Sequence, residues 1–471
     1  MINFLLDPLI RAEELWGEEL REFGLPGFAI PKCFGALPVS GHFGDFERVA
    51  SKWLEGARLF RYRETCVRAG SSVILFSWVM PGGLGDWADQ ISAASILKMG
   101  IPDLKIELVT LVEESQPRFL RGHDFPNHII IYRNNEPVHF SNTLLKKLSE
   151  ASLILQIPTY YPHFQMLIDG IFKLSSGRIP VIASIGGSGS FHSEWFHPMS
   201  GNICMGIHPL ERGLLLHTDA SYVDAMETEP FYFAELESER GYAIYLHALL
   251  TSNKDKTNDL KLIVCNQLPL LSALKNQVFS DYGVKEITIE ESAKKSVIKL
   301  SDSGKIHFIE VKQGLSTFSI QKLIVSAEDF VGCGNNHMLC EVITLEKFFF
   351  TDELNHPNLF LNDLKALATH YFPLDPKLAT YIDYLSDKIT TEKILGNLIG
   401  KIVSEDTLLT SMKKLIHLIK ADFLFNPTLI NYVKSKICEY YDPSLKEKEQ
   451  LFFKEFLKGQ HSLKELLCKK N

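Results

Sequence analysis

Between Ser319 and Leu354 the chain sets two short, wholly apolar runs, Phe330–Cys333 and Phe348–Phe350, around a helix-like stretch, with Gly334 at the corner after the first run. Runs of that length with no polar alternation read as strands of a sheet covered on both faces. The helix starts at Asn335-Asn336 and carries Glu341 about two turns in. Glycine at a strand-to-helix corner lets a ligand come close to the backbone, and the first free N–H groups of the helix face outward. That combination favours a phosphate or diphosphate. A carboxylate two turns into the helix can accept hydrogen bonds from a ribose. A nucleotide-type ligand is therefore the leading expectation.

The same grammar recurs upstream. Val73–Phe76 reads as a buried strand, Pro81–Gly85 as a glycine loop, and Asp86–Leu97 as a helix. Further strands are expected at Ile106–Leu111, Ile129–Tyr132, Leu153–Ile157 and Val181–Ile185, the last running into a second glycine loop, Gly186–Ser190. After a polar, turn-prone connection at Ala220–Pro230, strands at Phe231–Leu236, Leu260–Cys265, Ser296–Leu300 and Lys305–Val311 form a second unit. Apolar runs alternating with helices predict an α/β chain of two doubly wound, Rossmann-like domains. The expected division is a lead-in of helices and loops over 1–70, a first domain over 71–222, a second over 228–371, and a helical extension over 372–471. The extension ends in an amphipathic tail with Phe452, Phe453 and Phe456, which reads as packing onto the body or as a docking or secretion-recognition segment.

The Ser319–Leu354 stretch resembles the donor-binding segment of glycosyltransferases with the two-Rossmann-domain (GT-B) architecture. In those proteins Glu-Ala, three spacers, Gly, one spacer and Pro follow the corner. Here Glu341-Val342 stands at Glu-Ala, while Glu346 and Phe348 stand at the Gly and Pro positions. The resemblance implies a nucleotide-sugar donor as co-substrate and no permanently bound cofactor. Glu341 would hold the donor ribose, and the turn Gly334, Asn335, Asn336 and His337 the diphosphate. A thinner likeness, to bacterial enzymes that rhamnosylate an arginine of elongation factor P, includes an N-terminal loop ending in Gly-Asp before a helix. Asp86 matches that loop, but Gly82 stands where they carry an Asp, and Asn335 and Asn336 where they carry an acidic pair. Neither rhamnose nor arginine is carried over as a substrate.

The first glycine loop, with Gly82, Gly83 and Gly85, is the expected acceptor side, since open α/β sheets bind ligands at the carboxyl ends of their strands. Asp86 at the helix start serves either as a helix cap or as the base that takes the acceptor's proton. Asp89, three residues on, shares its helical face and is the second candidate. His192 and Glu194, after the second glycine loop, are candidates for orienting the acceptor, with solvated loop polarity as the default. Arg240 and Ser238, at the end of the first strand of the second unit, either neutralise the donor's diphosphate or serve a local ion pair with Glu235, Glu237 or Glu239. GGLGD lacks dinucleotide spacing, and Glu107 falls inside the next strand rather than at its end, so a nicotinamide enzyme is a poor fit. There is no Asp-x-Asp and no metal-ligand spacing, in line with a metal-independent site.

A net charge of −8 over 471 residues argues against nucleic acid as a partner. Eight cysteines without a CxxC pair read as free thiols of a reducing compartment. No stretch approaches a membrane span and no basic leader opens the chain, so a cytoplasmic protein is expected, with export by a route lacking an N-terminal signal left open. The acceptor is unassigned, a protein side chain among the candidates. Two other readings stay open: a sugar-nucleotide epimerase or hydrolase, and a non-catalytic interaction protein on the same fold.

Overall fold

The computed structural model describes residues 70–79, 84–113, 125, 127–133, 140–158, 164–175, 177–187, 203–207, 213–216, 229–254, 259–265, 267–291, 294–312, 315, 317–352 and 359–444. The lead-in 1–69, Gly82, Gly83, His192, Glu194, most of the connection between the two units and the tail from 445 onward lie outside the described residues.

The first lobe is a six-stranded, all-parallel sheet in the order β3-β2-β1-β4-β5-β6. Its elements are β1 (Ser72–Val79), α1 (Leu84–Gly100), β2 (Lys105–Glu113), β3 (His128–Arg133), α2 (Asn142–Ser149), β4 (Leu153–Gln156), α3 (Phe164–Leu174), β5 (Val181–Gly186) and β6 (Ile203–Cys204). The apolar run of β1 serves both faces. Val73 and Leu75 enter one core layer, with Ala93 and Leu97 of α1, while Ile74 and Phe76 enter the other, with Leu148 of α2 and Leu167 of α3. That two-residue alternation between two covered faces is why the run has no polar positions.

The second lobe has seven strands in the order β10-β9-β11-β8-β7-β12-β13. Its elements are β7 (Tyr232–Glu235), α4 (Glu239–Ser252), β8 (Lys261–Val264), α5 (Gln267–Asn276), β9 (Val284–Glu291), β10 (Lys294–Lys299), β11 (Lys305–Val311), α6 (Thr317–Ser326), β12 (Val331–Cys333), α7 (Asn336–Thr344), β13 (Phe349–Thr351) and α8 (Leu359–Tyr371). Every neighbouring pair is parallel except β9 and β10, a hairpin at the sheet's edge. The strand expected at Ser296–Leu300 is β10, an antiparallel and largely exposed edge.

Over the described residues 372–444 the chain is helical, in α9 (Pro376–Leu385), α10 (Glu392–Val403), α11 (Asp406–Asp422) and α12 (Asn426–Tyr441). These helices are integral to both cores. Tyr381, Leu395, Leu408 and Ile416 join the second lobe, whereas Phe425, Leu429, Val433 and Ile437 join the first. Helix α10 crosses close on α4 because Gly396 and Gly400 carry no side chain. A Cβ at 400 would stand 2.6 Å from the Ala248 carbonyl oxygen, inside contact distance.

The chain therefore crosses between lobes and comes back. The two crossings are stitched together: Leu214 N–H donates to the Phe423 carbonyl (2.7 Å) and Phe425 N–H to the Leu214 carbonyl (2.8 Å). Asn426 brackets Leu216, accepting from its N–H and donating to its carbonyl. Two doubly wound lobes are what the GT-B resemblance implies; the return of α12 to the first lobe was not part of that expectation. Among the described residues no helix is long and apolar enough to cross a membrane.

Candidate functional site

The carboxyl ends of the two sheets face each other where α1 meets α7. The sequence sets up the α7 side locally. Gly334 leaves β12, and a Cβ there would lie 2.8 Å from both the Glu235 carbonyl oxygen and the Glu237 nitrogen, so only glycine lets the corner pack against the end of β7. Asn335 is extended and caps α7, its side chain accepting from Met338 N–H at 2.8 Å. Asn336 is the first residue of the helix, and His337 and Glu341 lie one turn apart along it.

On the facing side, α1 is fixed by buried Gln90. Its Nε2 donates to the carbonyls of Leu75 and Val109, and its Oε1 accepts from the Thr110 hydroxyl. With Gln90 seated over β1 and β2, the preceding residue is carried to the other lobe. Asp89 Oδ1 lies 3.0 Å from His337 Nδ1, and a Cβ at Gly85 would lie 3.4 Å from that of His337. His337 Nε2 is 3.5 Å from Glu341 Oε1, and Glu341 Oε2 accepts from Gln321 of α6 at 3.0 Å. A chain of polar contacts thus runs Asp89–His337–Glu341–Gln321 from one lobe into the other. Asp86 lies in the first turn of α1, two residues past its start rather than at the cap.

His337 and Asp89 are 12% and 14% exposed and Glu341 only 1%. Burial alone disfavours a charged imidazole. The hydrogen bond and charge of Asp89, with the charges of Glu341 and Glu235, outweigh it and hold His337 above the usual histidine value. Glu235, at the end of β7, is pushed up by burial. The α7 corner therefore sets the His337 ring among the carboxyl groups of Asp89, Glu341 and Glu235.

The other strand-to-helix corner, where β7 enters α4, behaves differently. Ser238 caps α4, accepting from Gly241 N–H, and its hydroxyl donates to Asp352 at the end of β13. The same carboxylate oxygen of Asp352 accepts from Glu237 N–H (3.1 Å) and Ser238 N–H (2.9 Å). Its other oxygen is buried without a partner among the described residues, and burial raises the group to about 7. Arg240 pairs with Glu392 (2.9 Å) and donates to the Asp387 and Thr390 carbonyls. The local ion pair expected for Arg240 is therefore corrected. Its partner comes from 152 residues downstream, and Glu239 is engaged by Ser272 and Asn276. A depression of about 400 Å³ lined by Asp352, Arg240, Tyr384 and Lys388 sits beside this corner.

The structure thus brings together Gly85, Asp89, Gly334, Asn335, His337 and Glu341, and sets Ser238 and Arg240 apart with Asp352. Sequence reading missed Gln90, Asp352 and Glu392, and the pairing of Gln321 with Glu341, because the partners lie apart along the chain. Among the described residues no group of His, Cys, Asp or Glu is arranged to hold a metal. Cys265, Cys333, Cys340 and Cys438 are free thiols, and burial pushes Cys333 and Cys340 well above the usual range.

No family model and no curated protein matches the chain. Solved structures do match at low identity. MurG of Acinetobacter baumannii shares 11% identity over 78% of this chain and 99% of its own, with a TM-score of 0.43. A putative UDP-N-acetylglucosamine 2-epimerase from Listeria monocytogenes shares 8% over 79% and 98%, at 0.45. A glycosyltransferase from Rickettsia africae shares 10% over 83% and 99%, at 0.42. Scores this low add nothing to the strand order, which is what establishes two doubly wound lobes here. The thinner likeness to the elongation-factor-P arginine rhamnosyltransferases gains nothing from these matches.

Proposed function

We propose that the chain is a glycosyltransferase that moves a sugar from a nucleotide-sugar to an acceptor brought by the first lobe. The observation that carries this reading is the meeting of Asp89 with His337, which sets the acceptor-side helix α1 against the donor-side helix α7 at the carboxyl ends of both sheets. In this reading the α7 corner receives the diphosphate and Glu341 the ribose. Asp86 takes the proton from the acceptor's hydroxyl or N–H as that atom attacks the anomeric carbon. The bond from that carbon to the diphosphate oxygen breaks, the leaving group departs with the electron pair, and the imidazolium of His337 offsets its charge. In this reading Ser238 and Arg240 serve the second lobe's own structure, Ser238 through Asp352 and Arg240 through Glu392.

A second reading, an interaction protein that keeps the fold without catalysis, is favoured by the near-complete burial of Glu341 and its bond to Gln321. Thermal stabilisation by a panel of nucleoside diphosphates separates the two, since the transferase reading expects at least one to raise the melting temperature. Turnover of the matching nucleotide-sugar is then expected to fall about 100-fold or more in Asp86→Asn. Equal turnover by the variant removes Asp86 as the base, and no response to any nucleotide removes the transferase reading.

A further inference from the structure

The two oxygens of the Asp352 carboxyl have unlike surroundings. Oδ2 accepts from Glu237 N–H, Ser238 N–H and the Ser238 hydroxyl, and it closes on Gly241, where a Cβ would stand 2.5 Å away. Oδ1 is buried without a partner among the described residues, on a side chain that is 4% exposed. An oxygen withdrawn from water and left unbonded costs free energy. Holding the start of α4 does not require it, because Oδ2 alone serves all three donors. Asp352 also lines the depression of about 400 Å³ between α4, the end of β13 and the α9–α10 connection.

The rest of the lining narrows the occupant. Ile244, Phe350, Leu385 and Leu395 give an apolar wall, and Arg240 and Lys388 are the cations among the described residues there. The other acids of this corner are engaged in place. Asp387 accepts from Ile389 N–H, Thr390 N–H and the Thr390 hydroxyl, and Glu392 pairs with Arg240. A simple amine is attracted by Asp352 and repelled by both cations, while a simple anion meets the reverse. A molecule with an N–H donor at one end and an anion at the other suits both poles. We propose that this depression binds an α-amino acid with an apolar side chain, its ammonium donating to Asp352 Oδ1, its carboxylate toward Lys388 and its side chain on the apolar wall. Oδ1 is shielded, so the ammonium reaches it through a rotamer change at the rim, an adjustment common on binding. The described lining includes no member of the Asp89–His337–Glu341 chain. The site therefore goes beyond the transferase reading and does not depend on it.

Calorimetric titration of the full chain with L-leucine, without nucleotide, tests this. It is run at about pH 8, where Asp352 is largely ionised. Saturable binding is expected. It should weaken about tenfold or more for N-acetyl-L-leucine, which lacks the ammonium, and for L-leucinamide, which lacks the carboxylate. Asp352→Asn keeps the outline of the side chain and is expected to lose about tenfold or more in affinity for L-leucine. Lys388→Glu reverses the charge of an exposed residue and leaves the start of α4 alone. It is expected to weaken L-leucine about fivefold or more and L-leucinamide not at all. No saturable binding by the wild type overturns the site. So does equal binding of L-leucine and its two derivatives, or an affinity unchanged by Lys388→Glu, which places the amino acid elsewhere. The Lys388 variant carries the test if Asp352→Asn does not fold. Failure of the transferase reading leaves all of this untouched, because no nucleotide enters it.

Discussion

Two strand-to-helix corners of the second lobe start from the same grammar and end in different states. At β7–α4 the helix start is satisfied from within. Asp352 fills the turn with its carboxylate, and Arg240 is claimed by Glu392 and two carbonyls. At β12–α7 the helix is capped by Asn335, and the carboxylate that bonds His337 belongs to the other lobe. A corner that binds its own anion is structural. At the second corner the anion is supplied by the other lobe. A helix start with a nearby cation is common to both and so does not mark a ligand site.

The contrast can be broken most forcefully at Asp352. Asp352→Ala leaves two backbone N–H groups and a hydroxyl without their acceptor and is expected to cost about 3 kcal/mol in urea denaturation. The titration of Asp352 gives a second handle. An acid held up at about 7 when folded keeps a proton that the unfolded chain releases near the ordinary Asp value. Stability therefore falls as pH rises between those values, by roughly 1.4 kcal/mol per unit from this group, and that slope is expected to vanish in Asp352→Asn. Arg240→Met should cost roughly 1–2 kcal/mol through the α4–α10 contact and leave nucleoside-diphosphate affinity unchanged in calorimetry. A tenfold loss of affinity would show that Arg240 serves a ligand and erase the distinction between the corners. Asn335→Ala is expected to cost about 1 kcal/mol as a lost helix cap, with a matching drop in the denaturation midpoint. The last test concerns Glu346, whose backbone is left-handed at φ 58° and whose side chain pairs with Lys420. Glu346→Ala and Glu346→Gly both lose the ion pair, so glycine should be the more stable of the two by about 1 kcal/mol.

That position also shows how much of the fold was legible. The GT-B pattern places glycine where Glu346 stands, and the chain keeps the glycine-type conformation without the glycine. Buried parallel strands were readable because covering both faces makes every residue apolar, as in Val73–Phe76. Strand β9 was not anticipated, because charged residues interrupt its apolar positions. The α7 corner was legible from Gly334 and Asn335, whose roles are settled by residues close in sequence. Asp89–His337, Gln321–Glu341, Ser238–Asp352 and Arg240–Glu392 were not, since only the tertiary fold brings each pair within reach. Arg240 invited assignment to a phosphate for the same reason.

Helix α12 completes one face of the first lobe, so that lobe is not a contiguous piece of chain. During synthesis the layer holding Val73 and Leu75 waits, only part covered, until residues 426–441 leave the ribosome. The entire second lobe is made in the interval, which gives a chaperone something to hold and denies a fragment ending near 222 any route to a finished core.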